Sequence, residues 1–414
     1  MITEAISPRP ALRVGAPVWI TIGIIGAGVG QFALVWASNR YLNSADSSSV
    51  LLWNSASLAV GLFIASPTVA LMIVRQGGDS GSDLRAPAEV QRASLAAAIV
   101  AGAVLPVVWL SGGASTGSPT GDVIGCLLLA TSPAMQVLAA TQRGLSAASS
   151  NWWLVALQLA ADGVFRAVLG IACASIFQSV LPMLFASWLP LTFAVLVVRR
   201  VSGAPLFLCR RSLGRLTEFG NLVPLWATGL AEHAVLTLSP NVLAVFSSDA
   251  ELVEAFSLIM FCIRVPISLA TVVLTPLLVR LSSEHHNDPT TSRRGWVGRL
   301  ELRFLIAAVP LTLLGMAVGP RVLELLFNNE LLSSRSVSAF ATVTILALLL
   351  ATTLQQYLWS RSRFSVVAWS WVVASVVYVA LVPIAADSLT ELLIVMTVAG
   401  AVAAAPQSIA ARKY

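Results

Sequence analysis

The sequence predicts an all-α integral membrane protein with twelve transmembrane helices in two six-helix lobes around a central cavity. Three observations predict it: a composition too apolar for water, apolar runs of membrane-crossing length, and cations gathered on one side. Of the 414 residues, 57% are hydrophobic and 11% charged, whereas soluble domains are about a quarter charged. The mean hydropathy of +0.85 agrees. Alternating strand patterns of about ten residues are absent, which excludes a β-barrel.

Taken in order, Met1 to Arg13 is short and polar, with Arg9 and Arg13 beside Pro8 and Pro10. The apolar run after it is too long for the core of a signal peptide, so it reads as a first permanent span. About 20 apolar residues cross a hydrocarbon core. Six such runs, 15–36, 50–74, 93–110, 122–142, 153–176 and 180–198, make the first lobe, 1–198. A polar connection, 199–220, follows. Six more, 221–246, 251–279, 301–327, 336–358, 364–385 and 389–410, make the second lobe, 221–414. A faint repeat supports the division: SAD (44–46) and SSD (247–249) each precede a span that ends on an arginine, Arg75 and Arg280.

With the N-terminus inside, 20 of the 25 Lys and Arg fall on the inner side. Arg40, Arg321 and Arg335 lie outside, and Arg166 and Arg264 within spans. This bias supports twelve spans with both termini cytoplasmic. The formal charge of +6 therefore reports orientation and not a nucleic-acid partner. Cys126, Cys173, Cys209 and Cys262 are scattered without CxxC or Cys/His spacing, so they read as small buried hydrophobes. No nucleotide-binding GxxxxGK[ST] appears, and no cofactor, metal or catalytic nucleophile is expected. The outer loops are too short for a catalytic domain, so an enzyme is not expected either.

The informative residues are ionisable groups at membrane depth, which are costly unless they face protein or a wet cavity. Asp162 and Arg166 are i and i+4 on one helix face. They read as a self-neutralising pair or, alternatively, as a cavity site in which Arg166 binds an anionic group. Glu232 lies about 17 Å into its span and Arg264 about 22 Å from the inner end of the next, at ~1.5 Å per residue. Both are near mid-depth, so a Glu232–Arg264 bridge is one expectation. His233, which titrates near neutrality in water, makes Glu232 and His233 candidates for proton coupling. Pro224 and Pro240 bracket the seventh span and are expected to kink it. Arg40, beside Asn39 at the outer end of the first span, reads as an interfacial anchor or, alternatively, as an outer-gate or sugar-binding contact. Trp36, Trp53, Trp109, Trp152, Trp153 and Trp359 fall near expected interfaces, as an aromatic belt would.

Several segments resemble the multidrug/oligosaccharidyl-lipid/polysaccharide exporter superfamily. SSDAELVEAFSLIMFCIRVPISLATVVLTPLLVRLSSE (247–284) is similar to its seventh-to-eighth span region, with a mid-span arginine at Arg264. GPRVLELLFNNELLSSRS (319–336) resembles its G-P-x-V-x-x-L-L-F-G segment, with Asn328 where Gly is usual. The run Leu354 to Trp371, containing QQYLWSRSRF, is similar to the tenth-to-eleventh span region. GQFALVWASNRYL (30–42) and IVRQGG (73–78) match less specifically. Span count and length resemble the Wzx-type polysaccharide flippases more than the MurJ-type ones, whose first two helices carry arginines missing here. The resemblance implies a transporter that flips a polyprenyl-pyrophosphate-linked oligosaccharide to the outer leaflet, with Arg264 as a head-group ligand in a central cavity. Its implied partners are that lipid-linked oligosaccharide, membrane lipids and other polysaccharide-assembly membrane proteins. A cation-coupled drug or metabolite exporter of the same superfamily, and a membrane glycosyltransferase or polymerase, are the alternatives.

Overall fold

The computed structural model describes residues 16–76, 85–111, 113–149, 151–203, 219–287, 296–361 and 363–413. The N-terminal arginines, most of the 199–220 connection with Cys209, and Arg293 and Arg294 lie outside the described residues. Everything described is helix or short connection, with no strand. The helices are α1 (Ala16–Tyr41), α2 (Ser44–Gln76), α3 (Arg85–Ser111), α4 (Pro119–Ala148), α5 (Trp152–Phe177), α6 (Val180–Ser202), α7 (Phe219–Leu236), α8 (Ser239–Phe246), α9 (Ala250–Asn287), α10 (Trp296–Phe327), α11 (Arg335–Ser360), α12 (Phe364–Ala385) and α13 (Leu389–Ala411). Among the described residues nine helices are long and apolar enough to cross a membrane, and ten if α7 and α8 form one broken span. That is fewer than the twelve expected. The other two long helices, α2 and α9, carry polar residues at depth, Asn54 and Arg264.

Local chemistry sets the helix ends. Ser118 caps α4 by accepting from the Gly121 N–H at 3.1 Å, with Pro119 at a position that needs no donor. Gly203 closes α6 at φ 66°, a conformation glycine adopts without a Cβ penalty. Short connections at 42–43, 178–179 and 247–249 define one end of the bundle, the turn end. The opposite, basic end carries Arg92, Arg199, Arg200, Arg299, Arg303, Arg363 and Arg412 among the described residues.

The two halves pair their helices by one scheme. In the first, α1 packs on α5, α2 on α4, α3 on α4, α4 on α6 and α5 on α6. In the second, α7 packs on α12, α9 on α11, α10 on α11, α11 on α13 and α12 on α13. The order of partners is the same when α7 and α8 are counted together, which deepens the faint repeat in the sequence.

Apolar side chains drive helix association weakly in lipid, so close approach of small residues takes over. On α1, Gly23, Gly26 and Gly30 meet Ala156, Ala160 and Gly163 of α5. A Cβ on Gly23 would stand 2.8 Å from the Ala156 Cα, one on Gly26 2.9 Å from the Ala160 Cα, and one on Gly30 would overlap the Gly163 carbonyl. Gly315 and Gly319 of α10 seat against Thr342 and Ser338 of α11 in the same way. Elsewhere α10 presents an apolar surface outward, with Leu305, Ile306, Val309 and Leu325 exposed, as a lipid-facing helix does.

The aromatic-belt expectation fails at three positions, Trp53, Trp109 and Trp359, all of them buried. Trp53 and Trp109 are fully buried, and each indole N–H has found a carbonyl. Trp53 donates to Gly125 at 3.0 Å and Trp109 to Ser49 at 3.2 Å. Both therefore fasten helices to one another rather than to an interface. A buried indole usually finds such an acceptor.

Candidate functional site

In the first half, Arg166 of α5 is enclosed by partners. Its Nη2 donates to both carboxylate oxygens of Asp162, at 2.9 and 3.2 Å, and Nη1 donates to Ser187 Oγ on α6 at 3.3 Å. Ser187 Oγ donates in turn to Asn54 Oδ1 on α2 at 3.1 Å. Arg166 is 5% exposed. Gln158 Nε2 donates to Gln142 Oε1 at 3.1 Å, and Gln142 Nε2 to the Val195 carbonyl at 3.3 Å. Ser57 and Ser132 share a further buried hydrogen bond. The i,i+4 spacing announced the Asp162–Arg166 pair. Ser187, Asn54, Gln142 and Gln158 were not singled out from the sequence, although lone amides in apolar spans were a usable signal.

The second half places its charges differently. Glu232 on α7 is buried, and its carboxylate accepts from Gln355 Nε2 of α11 at 2.9 Å. Gln355 Oε1 accepts from Trp371 Nε1 of α12. Arg264 on α9 donates from Nε to the Met260 carbonyl one turn back, at 3.2 Å. Its Nη1 is buried with no hydrogen-bond partner among the described residues. Glu232 and Arg264 form no ion pair, so the bridge expected from their matched depths is absent. The reason is rotational: successive helix residues point about 100° apart. Glu232 turns to α11, and it is His233 that lies within electrostatic reach of Arg264. Gln355 and Trp371 both sit in the 354–371 segment, yet nothing in one sequence joins Gln355 to Glu232 across 123 positions.

His233 stands at a break. Its carbonyl accepts from both the Thr237 N–H (2.9 Å) and the Leu238 N–H (2.8 Å), and its Nδ1 is 3.2 Å from Thr237 Oγ1. There α7 ends and α8 sets off at 58°. The bend thus precedes Pro240, which occupies the first turn of α8, where its missing N–H goes unnoticed. The expected kink at Pro240 is displaced by two residues. Pro224 lies inside α7, and Thr228 Oγ1 donates to its carbonyl at 2.8 Å. Tyr378 Oη donates to the Ser239 carbonyl at 3.4 Å and Asn241 Nδ2 to the Leu52 carbonyl at 3.1 Å, so α8 is held by α12 and by α2 of the other half.

At the turn end the halves meet. Asn39 Nδ2 of α1 donates to Glu254 Oε1 of α9 at 3.2 Å. The Phe32 ring of α1 lies 6.2 Å from that of Phe261 and 6.3 Å from that of Phe327. Arg40, next to Asn39, is exposed and lines a cavity of about 560 Å³ with Trp36, Asn39, Arg321, Glu324 and Phe327. Arg40, Arg166 and Arg264 therefore belong to three places that share no hydrogen bond or ion pair among the described residues.

No protein-family model matches the sequence, and no curated protein matches it. Solved structures do, over nearly the whole chain. A Vibrio cholerae MATE transporter matches with TM-score 0.69 at 15% identity, covering 96% of this chain and 95% of its own. The fold is MATE-like. An inward-facing multidrug resistance MATE transporter of the MOP superfamily matches with TM-score 0.58 at 15% identity, covering 97% of this chain and 98% of its own. An outward-facing multidrug resistance MATE transporter of the MOP superfamily gives 0.57 at 14% identity, covering 97% of this chain and 96% of its own. The two states match about equally well, and at the turn end α1 is joined to α9 and α10 through Asn39–Glu254 and the Phe32 ring contacts.

Proposed function

We propose that the chain is a twelve-span transporter of the MOP superfamily that flips a polyprenyl-pyrophosphate-linked oligosaccharide from the cytoplasmic to the outer leaflet of a bacterial plasma membrane. In this reading α2 and α9 complete the ten spans to twelve, and 1–198 and 221–414 are the two lobes around a central cavity. The matching order of helix pairs supports that division. The basic end faces the cytoplasm, and the transported lipid, bilayer lipids and polysaccharide-assembly proteins are the partners. Asp162 and Arg166 then brace the first lobe, while Glu232, His233 and the α7–α8 break supply the moving element.

One observation carries the substrate class: among the described residues Arg264 keeps a buried guanidinium nitrogen without a hydrogen-bond partner and makes no ion pair. A guanidinium retains its charge and binds phosphate oxygens in a bidentate fork, so a diphosphate supplies what the protein withholds. Arg264→Ala and Arg264→Glu should abolish surface polysaccharide in cells lacking other flippases, at unchanged protein level. Normal polysaccharide in both variants would end the head-group reading.

A second reading, a cation-coupled drug or metabolite exporter, draws support from Glu232, a buried carboxylate whose hydrogen bond comes from neutral Gln355. Structural neighbours described as multidrug resistance transporters add to it. If expression protects cells from toxic organic cations, and Glu232→Gln removes that protection while Arg264→Ala does not, this reading replaces the first.

A further inference from the structure

The cavity at the turn end is separate from the mid-span charges, and its walls have an unusual origin. Arg40, Trp36 and Asn39 come from the end of α1, whereas Arg321, Glu324, Phe327 and Asn328 come from the end of α10 and the residue after it. One wall thus belongs to each half. Neither arginine makes an ion pair or hydrogen bond among the described residues, and both are exposed. Glu324 is the one acid among the lining residues, so two cations face one anion and the cavity is positive. It opens beside α10, whose neighbouring Leu325 is 85% exposed on a helix with an apolar outer surface. Trp36, an amphipathic ring suited to the head-group level, stands in the same wall.

An unpaired arginine at the interface beside lipid-facing leucines is matched by a phosphate with an acyl or prenyl tail. The guanidinium takes the phosphate oxygens, and the tail lies along α10. We infer that the α1–α10 seam is a binding site for a phosphate-bearing lipid head group, held by Arg40 and Arg321. Two lining residues also make the closure contacts, Asn39 with Glu254 and Phe327 with Phe32. The site is complete only while the turn end is closed, and a ligand that binds one state better shifts the population toward it. The inference rests on the transporter reading only in placing the chain in a membrane, and it does not involve Arg264.

The test uses the full chain in nanodiscs, with retained phosphatidylglycerol counted by native mass spectrometry against phosphatidylcholine. Relative to wild type, R40Q/R321Q should weaken phosphatidylglycerol retention by about tenfold or more, the scale of one lost charge-assisted contact. R40K/R321K should keep part of it, and E324Q should strengthen it. Arg335→Gln, which removes an exposed cation of the same end outside the cavity, should change nothing. Competition by farnesyl pyrophosphate but not by inorganic pyrophosphate would identify a prenyl-linked diphosphate as the ligand. Displacement by neither would identify bilayer phospholipid. Unaltered retention in R40Q/R321Q, or an equal loss in Arg335→Gln, overturns the site. Unfolding midpoints of the variants separate lost binding from lost fold. Retention unaffected by Arg264→Ala would leave this site standing even if the flippase reading fails.

Discussion

The first helix of each half occupies the same place in the packing scheme, yet α1 and the α7–α8 pair are built for opposite purposes. α1 runs unbroken for 26 residues, carries no charge before Arg40, and is pressed against α5 through glycines. Its counterpart carries Glu232 and His233, breaks at residues 237–238 and turns by 58°. The charged residues follow the same division. In the first half Arg166 has a carboxylate and a hydroxyl around it. In the second, Arg264 has one backbone carbonyl and a vacant nitrogen. The matching helix-pair order therefore holds two unlike settings for a buried arginine, Arg166 with a carboxylate and a hydroxyl and Arg264 with an unpartnered nitrogen, which is the asymmetry the proposed single-site reading requires.

The largest effect should come from the α1–α5 seam, because a side chain there meets backbone rather than a movable side chain. Gly30→Leu or Gly163→Leu should destabilise by at least about 3 kcal/mol, the upper range of overpacking, and remove folded protein from the membrane. Gly28 has nothing within 4 Å of a built Cβ, so Gly28→Ala should leave the unfolding midpoint within about 0.5 kcal/mol of wild type. If all three variants behave alike, close approach is not what rigidifies the first half.

The next effect contrasts the two buried arginines. Asp162→Asn strips the carboxylate from an enclosed guanidinium and should cost about 3 kcal/mol, as breaking a buried pair does. Arg264→Met removes a guanidinium held only through Nε to the Met260 carbonyl, with Nη1 unpartnered, and should be neutral or stabilising within about 1 kcal/mol while, under the proposed function, abolishing transport. Thermal unfolding in detergent, with transport measured in parallel, checks both. A large loss of stability in Arg264→Met would mean the guanidinium already has a structural partner, and the asymmetry between halves would collapse.

Much of this was readable from composition, because hydrocarbon thickness dictates run length. The runs 153–176 and 364–385 fall within a residue of α5 and α12. The reading stops short where a helix leaves the membrane. α3 begins at Arg85 rather than 93, and α9 continues to Asn287 through His285 and His286, since hydropathy registers the apolar part and helix propensity carries the rest. Among the charges, Asp162–Arg166 was legible because its geometry is local to one helix. Glu232 was not, because Gln355, itself held by Trp371, reaches it by tertiary packing, and rotation about the helix axis is invisible to a depth argument. The break at 237–238 was misplaced for a related reason: Pro240 marks where a helix restarts, not where the preceding one ends.

The smallest effect tests the contact by which the two unlike halves touch. Asn39 Nδ2 donates to Glu254, and a glutamine there still offers a carbonyl oxygen. Glu254→Gln should therefore shift the unfolding midpoint by less than about 0.5 kcal/mol, whereas Asn39→Ala should lose about 1 kcal/mol, one net hydrogen bond. The same ranking should hold for phosphatidylglycerol retention if closure completes the seam site: Asn39→Ala weakens it a few-fold and Glu254→Gln leaves it intact. A Glu254→Gln effect larger than that of Asn39→Ala would show that the carboxylate acts through its charge. The turn end would then resemble the mid-depth of the second half, with an acid set at the boundary for more than packing.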